Sequence, residues 1–111
     1  MERTEARVVI TTVATAEEAE QLVRALLERR LIACGTILPT ARSLYRWNEA
    51  IADETESVIL LKTHAERIAG LEAAFEELHP YKVPELLALP VSGGLQKYLH
   101  WIGAETAETP E

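Results

Sequence analysis

The strongest strand-forming segments of this chain are apolar on both faces, and that restricts what it can fold into. In Ser57-Val58-Ile59-Leu60-Leu61-Lys62, Val58/Leu60 and Ile59/Leu61 point to opposite sides of a strand. In Leu86-Leu87-Ala88-Leu89-Pro90-Val91, Leu87/Leu89 and Leu86/Ala88 do the same. A sheet with one wet face would alternate apolar and polar residues, so these strands need a cover on each side. Residues 8–13 are β-branched throughout and read as the first strand. Thr15-Ala16-Glu17-Glu18 is a capping box, followed by Ala19, Leu22, Val23, Leu26 and Leu27 at helical spacing. That helix is expected to reach Arg30, with Arg29 and Arg30 suiting its negative end. A second strand region starts near Cys34 and continues past Pro39 to Trp47, and the polar residues 48–54 read as a hairpin tip. Residues 57–62 form the third strand. Thr63-His64-Ala65-Glu66 is a second capping box, and Ile68, Leu71, Phe75 and Leu78 are the stripe of a second helix. With the strand after Pro84 and a short helix over residues 95–102, the order is β-α-β-β-α-β plus a C-terminal helix. This is the α+β, ferredoxin-like arrangement. Two helices cover one face of its sheet. The terminal helix spans only about 12 Å, so the second face implies self-association.

At 111 residues the chain is expected to be one domain over residues 1–111, with an ordered core at about 7–103 and an acidic tail at 104–111. Eleven basic residues against 18 acidic ones give a net charge of −7. That argues against a nucleic-acid partner, whose footprint is a basic patch, and is compatible with attracting cations. No apolar run approaches the ~20 residues of a membrane span, and the N-terminus shows no apolar signal region. The single Cys34 excludes an intrachain disulfide and fits a reducing, cytoplasmic setting.

Polar groups concentrate in residues 77–91. Pro80 ends the second helix at Leu78–His79, and Pro84 and Pro90 stiffen the chain beyond it. His79, Tyr81 and Glu85 sit in this segment, and Lys62 ends a strand expected nearby. They are candidates for a ligand-binding cleft, with Trp47 on the long hairpin as a further wall. His79 could ligate a metal as neutral imidazole or simply end a helix. Cys34 could be a soft ligand for copper or a small packed residue. Lys62 could hold an anion or pair with Glu85. Tyr45, Arg46 and Trp47 could line a pocket or anchor an interface, where these residue types are enriched. His64 and His100 have no ligand-like spacing. No nucleophile elbow, phosphate loop or dense metal motif is present, so an enzyme is not expected.

Four ordered pieces carry a resemblance: Leu31-Ile32-Ala33-Cys34, Ser43-Leu44-Tyr45-Arg46-Trp47, His79-Pro80-Tyr81 with Val83-Pro84-Glu85, and Tyr98-Leu99 with Trp101. Together they resemble the divalent-cation tolerance family called CutA, over roughly residues 7 to 102. After Cys34 that family usually has an apolar residue and Asn, where this chain has Gly35-Thr36. After Trp47 it often has Gln-Gly, where this chain has Asn48-Glu49. The resemblance implies a compact homotrimer with sheets facing inward, binding divalent metal, copper first, and contributing to metal tolerance. The alternative is a signalling trimer like the PII proteins, sensing a small anionic metabolite at clefts between subunits.

Overall fold

The computed structural model of the chain describes residues 4–108. Its elements are β1 (Ala6–Val13), α1 (Ala16–Glu28), β2 (Cys34–Trp47), β3 (Ala50–His64), a 3-10 turn (Ala65–Arg67), α2 (Ile68–Leu78), β4 (Leu87–Pro90) and α3 (Gln96–Glu105). The four strands form one antiparallel sheet in the order β2-β3-β1-β4. The expected β-α-β-β-α-β order with an added C-terminal helix is what forms.

The first capping box is real: Thr15 Oγ1 accepts from the Glu18 N–H at 3.1 Å. The helix stops at Glu28, short of Arg30, because Arg30 takes a left-handed conformation (φ 57°). Its N–H donates to the Leu27 carbonyl, and that of Leu31 to Leu26, a Schellman closure. The Arg30 guanidinium then donates to the carbonyls of Ala104 and Ala107, where α3 ends. The second box does not form. Thr63 is fully buried as part of β3, with its hydroxyl donating to the Leu31 carbonyl at 2.6 Å. His64 takes over the capping role, its Nδ1 accepting from the Glu66 N–H.

The hairpin tip is only Asn48-Glu49, both at positive φ (49° and 63°), as a tight two-residue turn requires. Residues 50–54, expected in the tip, are strand, and β3 starts at Ala50 and not at Ser57. The resulting β2–β3 ribbon outruns the sheet. β1 stops with Val13 opposite Ser57, so among the described residues the pairs from Ala41↔Glu56 to Trp47↔Ala50 have no third strand beside them. A bulge between Leu38 and Ala41, with Thr40 at φ 58°, marks where this arm departs.

On one face of the sheet, Val9, Val13, Ile59 and Leu61 are fully buried against Leu22, Leu26, Leu71 and Phe75 of α1 and α2. On the other, Val8, Ile10, Val58 and Leu60 are only half-buried. Leu38, Leu87 and Leu89 stand out on that side at 47%, 57% and 43% exposure. The terminal helix covers one end of it, where Ile102 packs on Ala6 and Ala33. Both faces are apolar, as the strands predict, and only one is fully covered. The expected tail begins later than residue 104. α3 runs to Glu105, and Thr106 is buried with its hydroxyl donating to the Ile102 carbonyl at 2.8 Å. The remaining tail residues 109–111 lie outside the described ones.

Gly35 sits where β2 crosses α1. A Cβ there would lie 2.8 and 2.9 Å from the Val23 methyls and 3.2 Å from Leu61 Cδ2. Both neighbours are buried and cannot swing away. Gly35→Ala is therefore expected to destabilise the fold by about 1–3 kcal/mol, read as a lower denaturant midpoint. An unchanged midpoint would mean that this contact is loose.

Candidate functional site

Beyond Pro80 the chain crosses back over the sheet, and the crossing is fixed by His79. This residue is 8% exposed. Its Nδ1 accepts from the Tyr81 N–H at 3.1 Å, and its Nε2 lies 3.0 Å from Thr11 Oγ1. An acceptor role for Nδ1 leaves the proton on Nε2, which donates to Thr11. Both ring nitrogens are thus engaged inside the protein, which corrects the expectation that His79 offers a metal ligand. Burial lowers its pKa, opposed by the Thr12 backbone and Glu18, so the neutral ring is the resting form.

Anchored this way, Tyr81 reaches across the sheet to β3. Its hydroxyl donates to Glu56 Oε2 at 2.5 Å. Glu56 is 6% exposed. The Tyr81 pKa is raised, by burial first and by the Glu56 carboxylate second. Glu85, on the same crossing, is raised by burial and by Glu56. Further out, Tyr45 donates to Glu54 Oε1 at 3.1 Å. These residues line an open cavity of about 840 Å³ between the hairpin arm and the crossing, with Trp47, Arg42, Lys82 and Val83 also on its walls.

Of the expected cleft residues, the fold brings together Tyr81, Glu85 and Trp47, with Tyr45 beside them. Arg46 alternates to the other side of the arm from Tyr45 and Trp47. Lys62 does not belong to the cleft. It pairs with Val8 and Cys34, about 20 Å along β3 from Glu56, and its ammonium donates to Thr36 Oγ1 at 3.1 Å, not to Glu85. Cys34 lies at that same far end, its Sγ 3.9 Å from the Tyr98 hydroxyl. Among the described residues, no three His, Cys, Asp or Glu side chains are placed to hold one metal ion. Glu54 and Glu56 are the site residues that sequence reasoning missed. Their signal was present: two carboxylates two apart share a face of a strand, but Glu54 reads as part of the turn and Glu56 falls just before the expected strand.

His79 gives a test of this geometry. Its folded pKa is below the unfolded value near 6.5, so the unfolded chain binds the extra proton more readily. Stability is full above that value and falls as pH drops through it toward the folded pKa. His79→Gln is expected to flatten this dependence below pH ~6.5 in thermal unfolding curves. Thr11→Val, which orphans the buried Nε2–H, is expected to cost about 1–3 kcal/mol. An acid limb unchanged in His79→Gln would refute the assignment.

The comparisons with known proteins agree with this architecture. A model of the family described as CutA1 divalent ion tolerance protein matches residues 7–105. The divalent-cation tolerance protein CutA of Thermus thermophilus is 39% identical over 99 residues, 89% of this chain and 96% of that protein. That of Pectobacterium atrosepticum is 45% identical over 86 residues, 78% of each. Among solved structures, CutA1 from Oryza sativa superposes with a TM-score of 0.91 at 32% identity, covering 96% of this chain and 98% of that one. A protein from Archaeoglobus fulgidus, described as the periplasmic divalent cation tolerance protein CutA, gives 0.88 at 31% identity over 92% and 99%. The matched residues take in all the strands and helices described above but for Ala6, the first residue of β1, and the chain belongs to the CutA1 divalent ion tolerance protein family.

Proposed function

We propose that this protein is a homotrimer that binds divalent cations at the cleft under its hairpin arm and contributes to metal tolerance. The observation that carries this is the charge of the cleft. Glu54, Glu56 and Glu85 line it, whereas Arg42 is tied up by Asp53 in a two-pronged ion pair at 2.9 and 2.7 Å, leaving Lys82 as the remaining cation on its walls among the described residues. Such a wall attracts cations and repels the small anionic metabolite of the alternative reading. The role is binding, not turnover.

Self-association is supported by the half-covered sheet and by the arm. A two-stranded ribbon alone is marginally stable in water, and this one exposes Leu44 at 59%, Trp47 at 52% and Ile51 at 70%. Glu54 and Glu56 project from the same side of β3 as Val58 and Leu60, so the cleft is continuous with the uncovered face. Tyr45, Arg46 and Trp47 are proposed as contacts at that seam, and the number three comes from the family resemblance. A ligand shell that one chain leaves incomplete is finished by a second copy or by water. Copper is the ion to try first, since Cu²⁺ heads the Irving–Williams order on a given oxygen and nitrogen set. Cys34, single and far from the cleft, is proposed as a packing residue. A cytoplasmic location is proposed on its unpaired thiol.

Light scattering coupled to size exclusion is expected to give three times the 12.4 kDa chain mass. Leu89→Glu, on the uncovered face, is expected to yield folded monomers. A monomeric wild type would overturn the assembly. For the metal, Cu²⁺ titration should show at least about tenfold weaker binding in Glu85→Gln, the loss of one charged contact. Cys34→Ser is expected to bind as wild type. Equal affinity in Glu85→Gln and Glu54→Gln would remove the cleft as the metal site.

A further inference from the structure

A bare metal ion does not account for the form of the cleft. At about 840 Å³ it lies in the range of small-molecule sites. Its carboxylates are spread along the wall, and no three acidic or histidine side chains among the described residues converge on one point. Glu54 and Glu56 are two residues apart on β3, about 7 Å along the strand, comparable to the separation of the two nitrogens in a four-carbon diamine. Each spends one oxygen on a tyrosine: Glu54 Oε1 accepts from Tyr45 and Glu56 Oε2 from Tyr81. Glu54 Oε2 and Glu56 Oε1 are left for a ligand, and the two phenols hold the carboxylates in place. Beside the acids the wall is aromatic. Tyr45, Tyr81 and Trp47 all line the cavity, and an aromatic face both packs methylene groups and attracts ammonium groups.

Spaced carboxylates with aromatic surface beside them suit a cation that is long and partly apolar. We propose that this cleft binds a linear organic di- or polyamine, its ammonium groups on Glu54, Glu56 and Glu85 and its methylene chain against Trp47, Tyr45 and Tyr81. The inference rests on the reading of the cleft as a cation site and names a second class of cation for it. Glu85 supplies the third anchor. Its carboxyl is partly buried and lies within electrostatic reach of Glu56, whose charge disfavours its ionised form. A ligand with several positive charges relieves that repulsion, whereas an anion would add to it. Lys82 is the opposing charge on the lining, and it can turn outward because it is exposed. An amine and a divalent metal would then exclude each other, since they draw on the same oxygens.

The test is calorimetric titration of the full-length protein with spermidine, with n-butylamine as the single-charge control, in buffer of matched ionic strength. Saturable binding of one spermidine per chain is expected, with butylamine at least about tenfold weaker for want of a second charged contact. Glu54→Gln and Glu85→Gln each should weaken spermidine about tenfold or more. Both residues lie outside the buried Tyr81–Glu56 bond, so these variants keep the fold, to be checked by their unfolding midpoints. Trp47→Ala should weaken spermidine by a larger factor than it weakens Cu²⁺, which separates the aromatic wall from simple charge attraction and from any general loosening of the arm. Spermidine bound equally by wild type and both Gln variants would overturn the proposal. Cu²⁺ bound in a Glu85-dependent way with no spermidine binding would overturn it and leave the metal reading standing. Binding of neither would remove both.

Discussion

The constraint on which this structure depends is that its sheet is apolar on two sides while a single chain supplies helices for only one. α1 and α2 bury Val9, Ile59 and Leu61 completely. α3 shields just the end marked by Ala6 and Ala33. What remains runs from Leu38 on the β2 edge, across half-buried Val58, Leu60, Ile10 and Val8, to Leu87 and Leu89 on the β4 edge, an apolar face of the kind that monomers seldom expose. Each of these side chains withdrawn from water contributes on the order of 1.5–3 kcal/mol when fully buried. The arm adds to the same demand. It has no third strand, so its order depends on whatever packs against its inner face.

The second organising interaction is smaller and more exact in its geometry. The Thr11–His79–Tyr81 chain of hydrogen bonds ties a central strand to the crossing, and the His79 ring packs tilted on Phe75 (44°) and edge-on to Tyr81 (62°), both at centroid distances of 5.2 Å. Pro80 ends α2 and starts the crossing; the imidazole then sets its direction. Because the ring is buried and neutral, it acts as a fixed donor–acceptor pair and not as a titrating group near neutrality. Tyr81 inherits its position from this and passes it to Glu56, so one buried histidine determines where a carboxylate of the cleft stands.

How far the sequence was legible depends on the range of each interaction. Strand and helix order were readable because periodicity and the Thr15 cap are local, and the uncovered face was readable because Val58–Leu61 carry it within four consecutive side chains. The fate of Thr63 was not, since a capping box and a buried β-strand threonine look alike until the Leu31 carbonyl is known to lie beside it. His79 looked like a ligand for the same reason: its partner Thr11 is 68 residues away. Lys62 was placed in the cleft because it ends an apolar run, but register puts it at the opposite end of β3. Glu54 was hidden by its polarity, which reads as a turn when the two residues that actually turn, Asn48 and Glu49, are equally polar, and Glu56 falls outside the expected third strand, which begins at the apolar run.

On the proposed function, these features would couple assembly to binding. Glu54 and Glu56 lie on the arm and the end of the sheet, Glu85 on the crossing, and the arm keeps its shape only if its inner face is packed. A ligand bridging arm and crossing therefore holds together the two elements that a neighbouring copy would also contact. In a chain with modest contacts across that gap, a species that binds the ordered arm and not the frayed one stabilises the folded assembly by mass action. The reverse holds as well: whatever orders the arm raises the affinity of the cleft, since the carboxylates no longer have to be gathered when the ligand arrives. In the proposed assembly the protruding ribbon, which looks like a weakness in the single chain, would be the element through which the apolar face and the acidic cleft act on each other.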